Sequence, residues 1–248
     1  MSFDYHSVAG DYQYRAMHSC HPMQRFWHRG KLAMIDVLVR PHLKEGSKIL
    51  EIGCGAGNLL LQAGMQGTYP IGLDLSLQAL MFVRSRLQEA ISNVEAIKGF
   101  ACLQSIGELL PFAQDSVDYV ILSEVIEHLD APQLSIQEVS RVLRPGGKLL
   151  VTTPNYRSLW PLMEWTVDRL DMAPKMGGEQ HISRFHPSAL QKLMTQCGLV
   201  VESLGTIYTL SPFTSLVSPV WAMRQLKSEL KRRSLLGMIL VAVGVKPS

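Results

Sequence analysis

The run Ile49-Leu50-Glu51-Ile52-Gly53-Cys54-Gly55-Ala56-Gly57 narrows the choice of folds more than any other stretch, because a strand-length apolar segment passes directly into alternating glycines. An apolar stretch of helical period follows, and strand, glycine turn and helix together open a βα unit, the building block of a parallel sheet with helical crossovers. Glycines in that turn leave room for a ligand to lie against the backbone. The dinucleotide fingerprint needs its third glycine three positions after the second, whereas the glycines here stand at 53, 55 and 57 and Asn58 follows; a nicotinamide cofactor is therefore disfavoured. Asp74 lies 19 residues beyond Gly55, at the end of the next apolar run. A carboxylate there can accept two hydrogen bonds from ribose hydroxyls, so the ligand expected is nucleoside-bearing.

The same alternation continues along the chain. Strands are expected at Lys48–Ile52, Tyr69–Leu73, Ala101–Ile106, Val117–Leu122 and Lys148–Thr153, with helices near Asn58–Gln66, Ser76–Ala90 and Pro132–Leu143. Arg144-Pro145-Gly146-Gly147 ends the last of these helices and turns into the next strand. Beyond Thr153 the rhythm changes to an insertion rich in Leu159, Trp160, Leu162, Met163 and Trp165, expected over the carboxyl edge of the sheet. A helix at Pro187–Cys197 and strands at Leu199–Ile207 and Gly237–Val245 close the pattern. With 248 residues, no repeat and no linker, the reading is one domain: a helical cap (1–47), a cofactor-binding core (48–153), a substrate-side insertion (154–186) and a carboxy-terminal part (187–248).

Charge and cysteine usage remove several classes of function. The four cysteines are scattered without a C-x-x-C pair, which argues against a zinc knuckle or a disulfide framework and for a reducing, cytoplasmic setting. Met1-Ser2-Phe3-Asp4 lacks the basic-then-apolar order of a secretory leader, and no apolar run is long enough to span a bilayer. The net charge is only +3, and residues 219–248 hold six basic side chains and one acid, leaving 18 basic and 20 acidic for the rest. Nucleic acid is thus a poor candidate partner. Within that tail Trp221, Met223, Leu226 and Leu230 recur at helical spacing among Arg224, Lys227, Lys231, Arg232 and Arg233. Two readings stand side by side: an interfacial helix giving weak peripheral membrane contact, and a lid helix with a solvated basic face.

E-I-G-C-G-A-G, then I-G-L-D-L-S, E-L-L-P-F and L-R-P-G-G-K-L-L-V, in this order between Lys48 and Thr153, resemble the successive motifs of the class I S-adenosylmethionine-dependent methyltransferases. The resemblance implies a doubly wound, Rossmann-like α/β fold, a mostly parallel seven-stranded sheet with helices on both faces and an antiparallel last strand. It also implies S-adenosylmethionine as cofactor: Glu51, Gly53, Cys54, Gly55 and Gly57 about the methionine moiety, Asp74 and Leu75 at the ribose, Gly107 and Glu108 bordering the adenine, Ser123 beneath the cofactor. Ile106 departs from the family, which often has Asp there to accept from the adenine amino group. Cys54 reads as a small space-filler without redox chemistry. In the cap, Arg29 or Tyr12 is placed to reach the cofactor carboxylate, whereas His6, His18, His21, His28 and His42 read as solvated.

Glu124, Glu127 and His128 stand at i, i+3 and i+4 after the fourth strand, so on a helical turn they share one face. E-V-I-E-H, a Trp-containing insertion and H-I-S-R-F-H-P-S-A-L are similar to the ubiquinone-pathway O-methyltransferases and to the small-RNA 2′-O-methyltransferases. Carried over, the resemblance implies a divalent metal site of Glu124, Glu127, His128 and His181 that would hold hydroxyls to be methylated. Three readings stay open: a metal site, a metal-free base at His128 or His181 with Glu127, and a capped loop. His186, before Pro187, reads as a helix cap. The expected activity is methylation of a hydroxyl on a small apolar or lipid-like acceptor, against an RNA 2′-O-methyltransferase or a non-catalytic cofactor-binding subunit.

Overall fold

A computed structural model describes residues 9–93, 99–169, 181–232 and 234–248; the Met1–Asp4 start, His6, residues 170–180 of the insertion and Arg233 lie outside the described residues. Helices α1 (Tyr12–Met17) and α2 (Pro22–Val39) precede β1 (Lys48–Ile52), and the chain then alternates through α3 (Asn58–Gly64), β2 (Tyr69–Asp74), α4 (Leu77–Asn93), β3 (Ala101–Gln104), β4 (Val117–Ser123), α5 (Pro132–Val142) and β5 (Leu143–Pro154). Next come α6 (Trp160–Arg169), α7 (Pro187–Gln196), β6 (Val200–Ile207), the short α8 (Ser211–Thr214), α9 (Pro219–Arg232) and β7 (Ile239–Val245).

The sheet has seven strands in the order β3-β2-β1-β4-β5-β7-β6. The first five are parallel, and β7 runs antiparallel to both β5 and β6. Central strands are buried on both faces, which is why they read as mainly apolar runs. Leu50 and Ile52 of β1, with Val120 and Leu122 of β4, pack beneath α5 and α7 through Ile136, Val139, Leu190 and Met194. Ile49, Tyr119 and Ile121 point to the opposite face, against Ile35 and Val39 of α2 and Leu59 and Ala63 of α3. Because the order reverses between β1 and β4, the loops leaving these two strands diverge and open a crevice at the carboxyl edge.

One expectation needs correction. Arg144-Pro145-Gly146-Gly147 does not merely join helix to strand: Leu143 already pairs with Val117 and Lys148 with Tyr119, so the motif bulges out of β5, with Gly146 at φ 78°. On α9, of the two readings of the stripe, lipid anchors and a packed helix with a solvated basic face, the stripe turns inward as the second requires. Leu226 is fully buried with Ala222, Met223 and Leu230 pack against the same cluster, and of the four only Trp221 is exposed. Glu229 fixes that orientation. Its carboxylate accepts hydrogen bonds from the amides of Tyr208 (2.8 Å), Thr209 (3.1 Å), Leu210 (3.1 Å) and Ser211 (3.2 Å) and from the Ser211 hydroxyl (3.0 Å).

Candidate active site

The glycine loop sits at the end of β1, held by amides of Gly53 and Cys54 that donate to the Leu73 carbonyl at 2.7 and 3.1 Å. Its glycines have different reasons to be glycine. Gly57 has φ 68°, and a Cβ there would stand 1.9 Å from the Val83 side chain; a Cβ at Gly53 would stand 2.4 Å from Val125. These two allow close packing. Gly55 instead faces the cap, where a Cβ would come within 3.1 Å of the Gln13 side chain. Cys54 is fully buried against Gly72, as a space-filler would be.

Asp74 orders the loop by accepting from the amides of Gly55 and Ser76, both at 2.8 Å. The neighbouring Leu75 carbonyl accepts from Gln104 Nε2 at 3.0 Å. Gly107 is buried against Ile52 and Ser135, Glu108 follows it in the turn, and Ser123 bonds Thr152 across β4 and β5 at 3.1 Å. Glu51, Ser123, Asn58, Gln13, His28 and Lys31 line one cavity under the cap. Glu51 Oε2 is buried there without a hydrogen-bond partner. Burial, then the nearby Asp74, push its carboxyl well above the usual range.

The cap differs from expectation in two ways. Arg29 is exposed and donates to the Met17 carbonyl at 2.7 Å, tying α1 to α2; the cation that lines the cavity is Lys31. His28 is not solvated but half-buried beside Lys31, and burial followed by the lysine charge lowers its pKa to about 4. Tyr12 packs edge-on against His28, with ring centres 6.1 Å apart.

After β4 the chain does not form the helical face expected of Glu124, Glu127 and His128. Glu124 takes a left-handed φ of 56°, and only Ile126–His128 make a 3-10 turn. Glu124 therefore points to the cap, where its Oε2 lies 2.5 Å from Lys31 Nζ. Burial alone would raise its pKa, but the Lys31 charge and hydrogen bond, with His28 and His181, bring it below the ordinary value. Glu127, His128 and His181 do converge, one donor atom of each lying within 4.8 Å of the others. Two backbone bonds deliver His181 from its distant segment: Ser183 N to Glu127 O and Tyr156 N to Phe185 O, each 2.9 Å.

Around this trio, Tyr156 Oη lies 2.7 Å from His181 Nδ1, and the rings of His128 and Trp160 stand 5.1 and 6.1 Å from that of His181. Glu127 is buried; its Oε2 accepts from Thr153 Oγ1 at 3.0 Å and its Oε1 has no hydrogen-bond partner. Burial, then repulsion from Glu124, push its pKa up to about 8. Trp160 Nε1 and Glu124 Oε1 are also buried without hydrogen-bond partners, so polar atoms around the crevice are free for something that enters it. Two imidazoles and a carboxylate form a donor set suited to a first-row divalent metal. His186 caps α7, its Nδ1 accepting from the Ala189 amide at 3.3 Å.

Lys31, Thr153 and Tyr156 are site residues that the sequence reading missed. Lys31 had a signal: it interrupts the apolar stripe Phe26, Gly30, Met34 and Ile35 on α2. Thr153 and Tyr156 stand at the carboxyl end of a central strand, where ligands of such sheets bind.

A methyltransferase-domain family model matches residues 21–204. This chain belongs to the class I S-adenosylmethionine-dependent methyltransferase family. It is 27% identical over 213 residues to a ubiquinone biosynthesis O-methyltransferase of Aromatoleum aromaticum, covering 83% of this chain and 82% of the relative. To the enzyme of the same name from Aliivibrio fischeri it is 29% identical over 156 residues, 62% of this chain and 64%, or just under two thirds, of that relative. A chain of the Haloferax volcanii complex containing the Trm112 methyltransferase activator has the same fold, with a TM-score of 0.65, 21% identity and 98% of both chains covered.

Proposed function

We propose that this methyltransferase moves the methyl group of S-adenosylmethionine to a hydroxyl of an apolar small-molecule or lipid-like acceptor. The observation that carries the reading is the His128 and His181 pair, backed by Glu127 and walled by Trp160, at the carboxyl edge that also carries the glycine loop. The acceptor hydroxyl gives its proton to an imidazole; its oxygen forms a bond to the methyl carbon as the carbon–sulfur bond breaks, and the sulfonium leaves as a neutral thioether. His181 is the favoured base, because Tyr156 Oη lies 2.7 Å from its Nδ1 and orients the ring, with Nδ1–H as the donor in the base form. Gly53 to Gly57 and Asp74 would hold the amino acid and ribose, Gly107 and Glu108 the adenine edge, and the unpartnered Glu51 Oε2 suits an ammonium. The O-methyltransferase activity named for the two bacterial relatives supports a hydroxyl as the methyl acceptor.

A second reading rests on the convergence of Glu127, His128 and His181: these three would hold a divalent ion, with Glu124 left to Lys31. Such an ion, when bound, lowers the pKa of a coordinated hydroxyl. Transfer of labelled methyl groups into a cell lipid extract, with and without chelator, tests both. Under either reading His181→Ala abolishes transfer while S-adenosylhomocysteine affinity stays near wild type. Chelator-resistant turnover removes the metal, and full activity of His181→Ala overturns the assignment of the base.

A further inference from the structure

We propose that the corner between α8 and α9 docks this protein on an anionic lipid surface, its apolar tip entering the headgroup layer and its flanking cations meeting lipid phosphates. Of the helical stripe only Trp221 takes part, since the core uses Met223, Leu226 and Leu230. Five large side chains within nine residues point outward instead: Phe213 (45% exposed), Leu216 (57%), Val217 (80%), Val220 (62%) and Trp221 (62%). Isolated exposed apolar residues are ordinary, but a contiguous set marks a surface that something covers. Exposure of 80% at Val217, in the turn between two helices, describes a protruding tip, and a protrusion suits a penetrable layer.

Charge selects the occupant. The outward face of α9 continues from Val220 and Trp221 into Arg224, Lys227, Lys231 and Arg232, all exposed, while the helix's acid, Glu229, is turned inward onto the Tyr208–Ser211 amides. Aromatic and aliphatic side chains followed by cations of one sign match an anionic interface, apolar below and phosphate above. Because Ala222 and Leu226 pack on the domain, α9 stays folded against it and only the corner is available to penetrate.

The test is flotation of the full chain with phosphatidylcholine vesicles, with and without phosphatidylglycerol. The wild type should float with the anionic vesicles at low salt and be released at high salt, since exposed charges are screened. Arg224→Ser with Lys227→Ser should weaken anionic binding about thirtyfold, from the loss of two interfacial cations. Val217→Asp with Trp221→Ser should abolish flotation. All variants should keep wild-type S-adenosylhomocysteine affinity in vesicle-free solution, which certifies their folding and separates a failure of docking from a failure of the cofactor reading. Wild-type protein that ignores anionic vesicles, or tip variants that float as well as wild type, would overturn the proposal. So would a wild-type dimer, seen by sedimentation, that the tip substitutions dissociate without any vesicle binding: the corner would then be an interface between copies.

Discussion

Lys31→Met removes the ammonium 2.5 Å from Glu124 while keeping most of the aliphatic volume on α2. The Lys31 and Glu124 side chains retain only 11% and 24% of their exposure, so water is a poor substitute for the lost partner. Removing one member of a buried pair costs about 3–5 kcal/mol; the residual exposure of Glu124 and its ability to take up a proton reduce this to about 2–3 kcal/mol above neutral pH. The pH dependence follows from the direction of the shift. In the wild type Glu124 is held below its ordinary pKa, so its contribution is present above the unfolded-state value and lost as pH falls through the folded-state value. In the variant burial acts on Glu124 without Lys31, its pKa rises, and stability falls as pH climbs past the ordinary carboxylate range. The difference between the two proteins should therefore be small near about pH 4 and full near about pH 8. Urea unfolding followed by tryptophan fluorescence measures it, and adding Glu124→Gln should recover most of the loss. A difference below about 1 kcal/mol at the higher pH, or one equal at both, would refute the ion pair as the organiser of this corner.

Asp74→Ala should weaken S-adenosylhomocysteine binding by about 1–3 kcal/mol in calorimetry, and unchanged affinity would remove the ribose role. Glu229→Ala strands four amides and a hydroxyl; a loss of about 3 kcal/mol is expected in urea unfolding, and a neutral effect would mean that water replaces the carboxylate. Glu51 lies well above its usual pKa in the ligand-free site, so binding a cationic ammonium beside it should release a proton and tighten as pH rises. Calorimetry in buffers of different ionisation enthalpy reads that proton directly, and binding without proton exchange would exclude Glu51 as the partner.

The parallel core was legible because its strands are buried on both faces: Ile49 to Ile52, Val117 to Leu122 and Lys148 to Thr153 are mainly apolar rather than strictly alternating. What escaped depends on direction more than on composition. A stripe at helical spacing on α9 says that one face is apolar; whether core or lipid takes that face is decided by Phe26, Met34 and Tyr208, all more than a dozen residues away in sequence. Glu124 escaped because a left-handed φ at a non-glycine residue has no sequence signature, and that one torsion sends it to Lys31 and away from Glu127. Lys31 escaped because a helical lysine ordinarily reads as solvated. The convergence of His128 and His181 was legible only through the motif order, since the bonds that create it, from Ser183 and Tyr156, are made by backbone groups common to every residue.

Under the proposed function, the sheet itself sets the distance between methyl donor and base. The glycine loop leaves β1, Asp74 ends β2, and the two groups that touch the proposed base and its neighbour, Tyr156 at His181 and Thr153 at Glu127, belong to the end of β5 or directly follow it. With β4 lying between β1 and β5, the separation is two strand spacings, about 10 Å, and hydrogen-bonded strands change that value very little. Displacement needs its reacting atoms in line, and a misplacement of about 1 Å can cost about a hundredfold in rate, which loops alone would not guarantee against. Helix α6 is under no such constraint: Trp160 and Met163 pack inward while Leu162 and Trp165 remain exposed. Acceptor preference can therefore change through α6 while the spacing between the glycine loop and the imidazoles stays fixed by β1, β4 and β5.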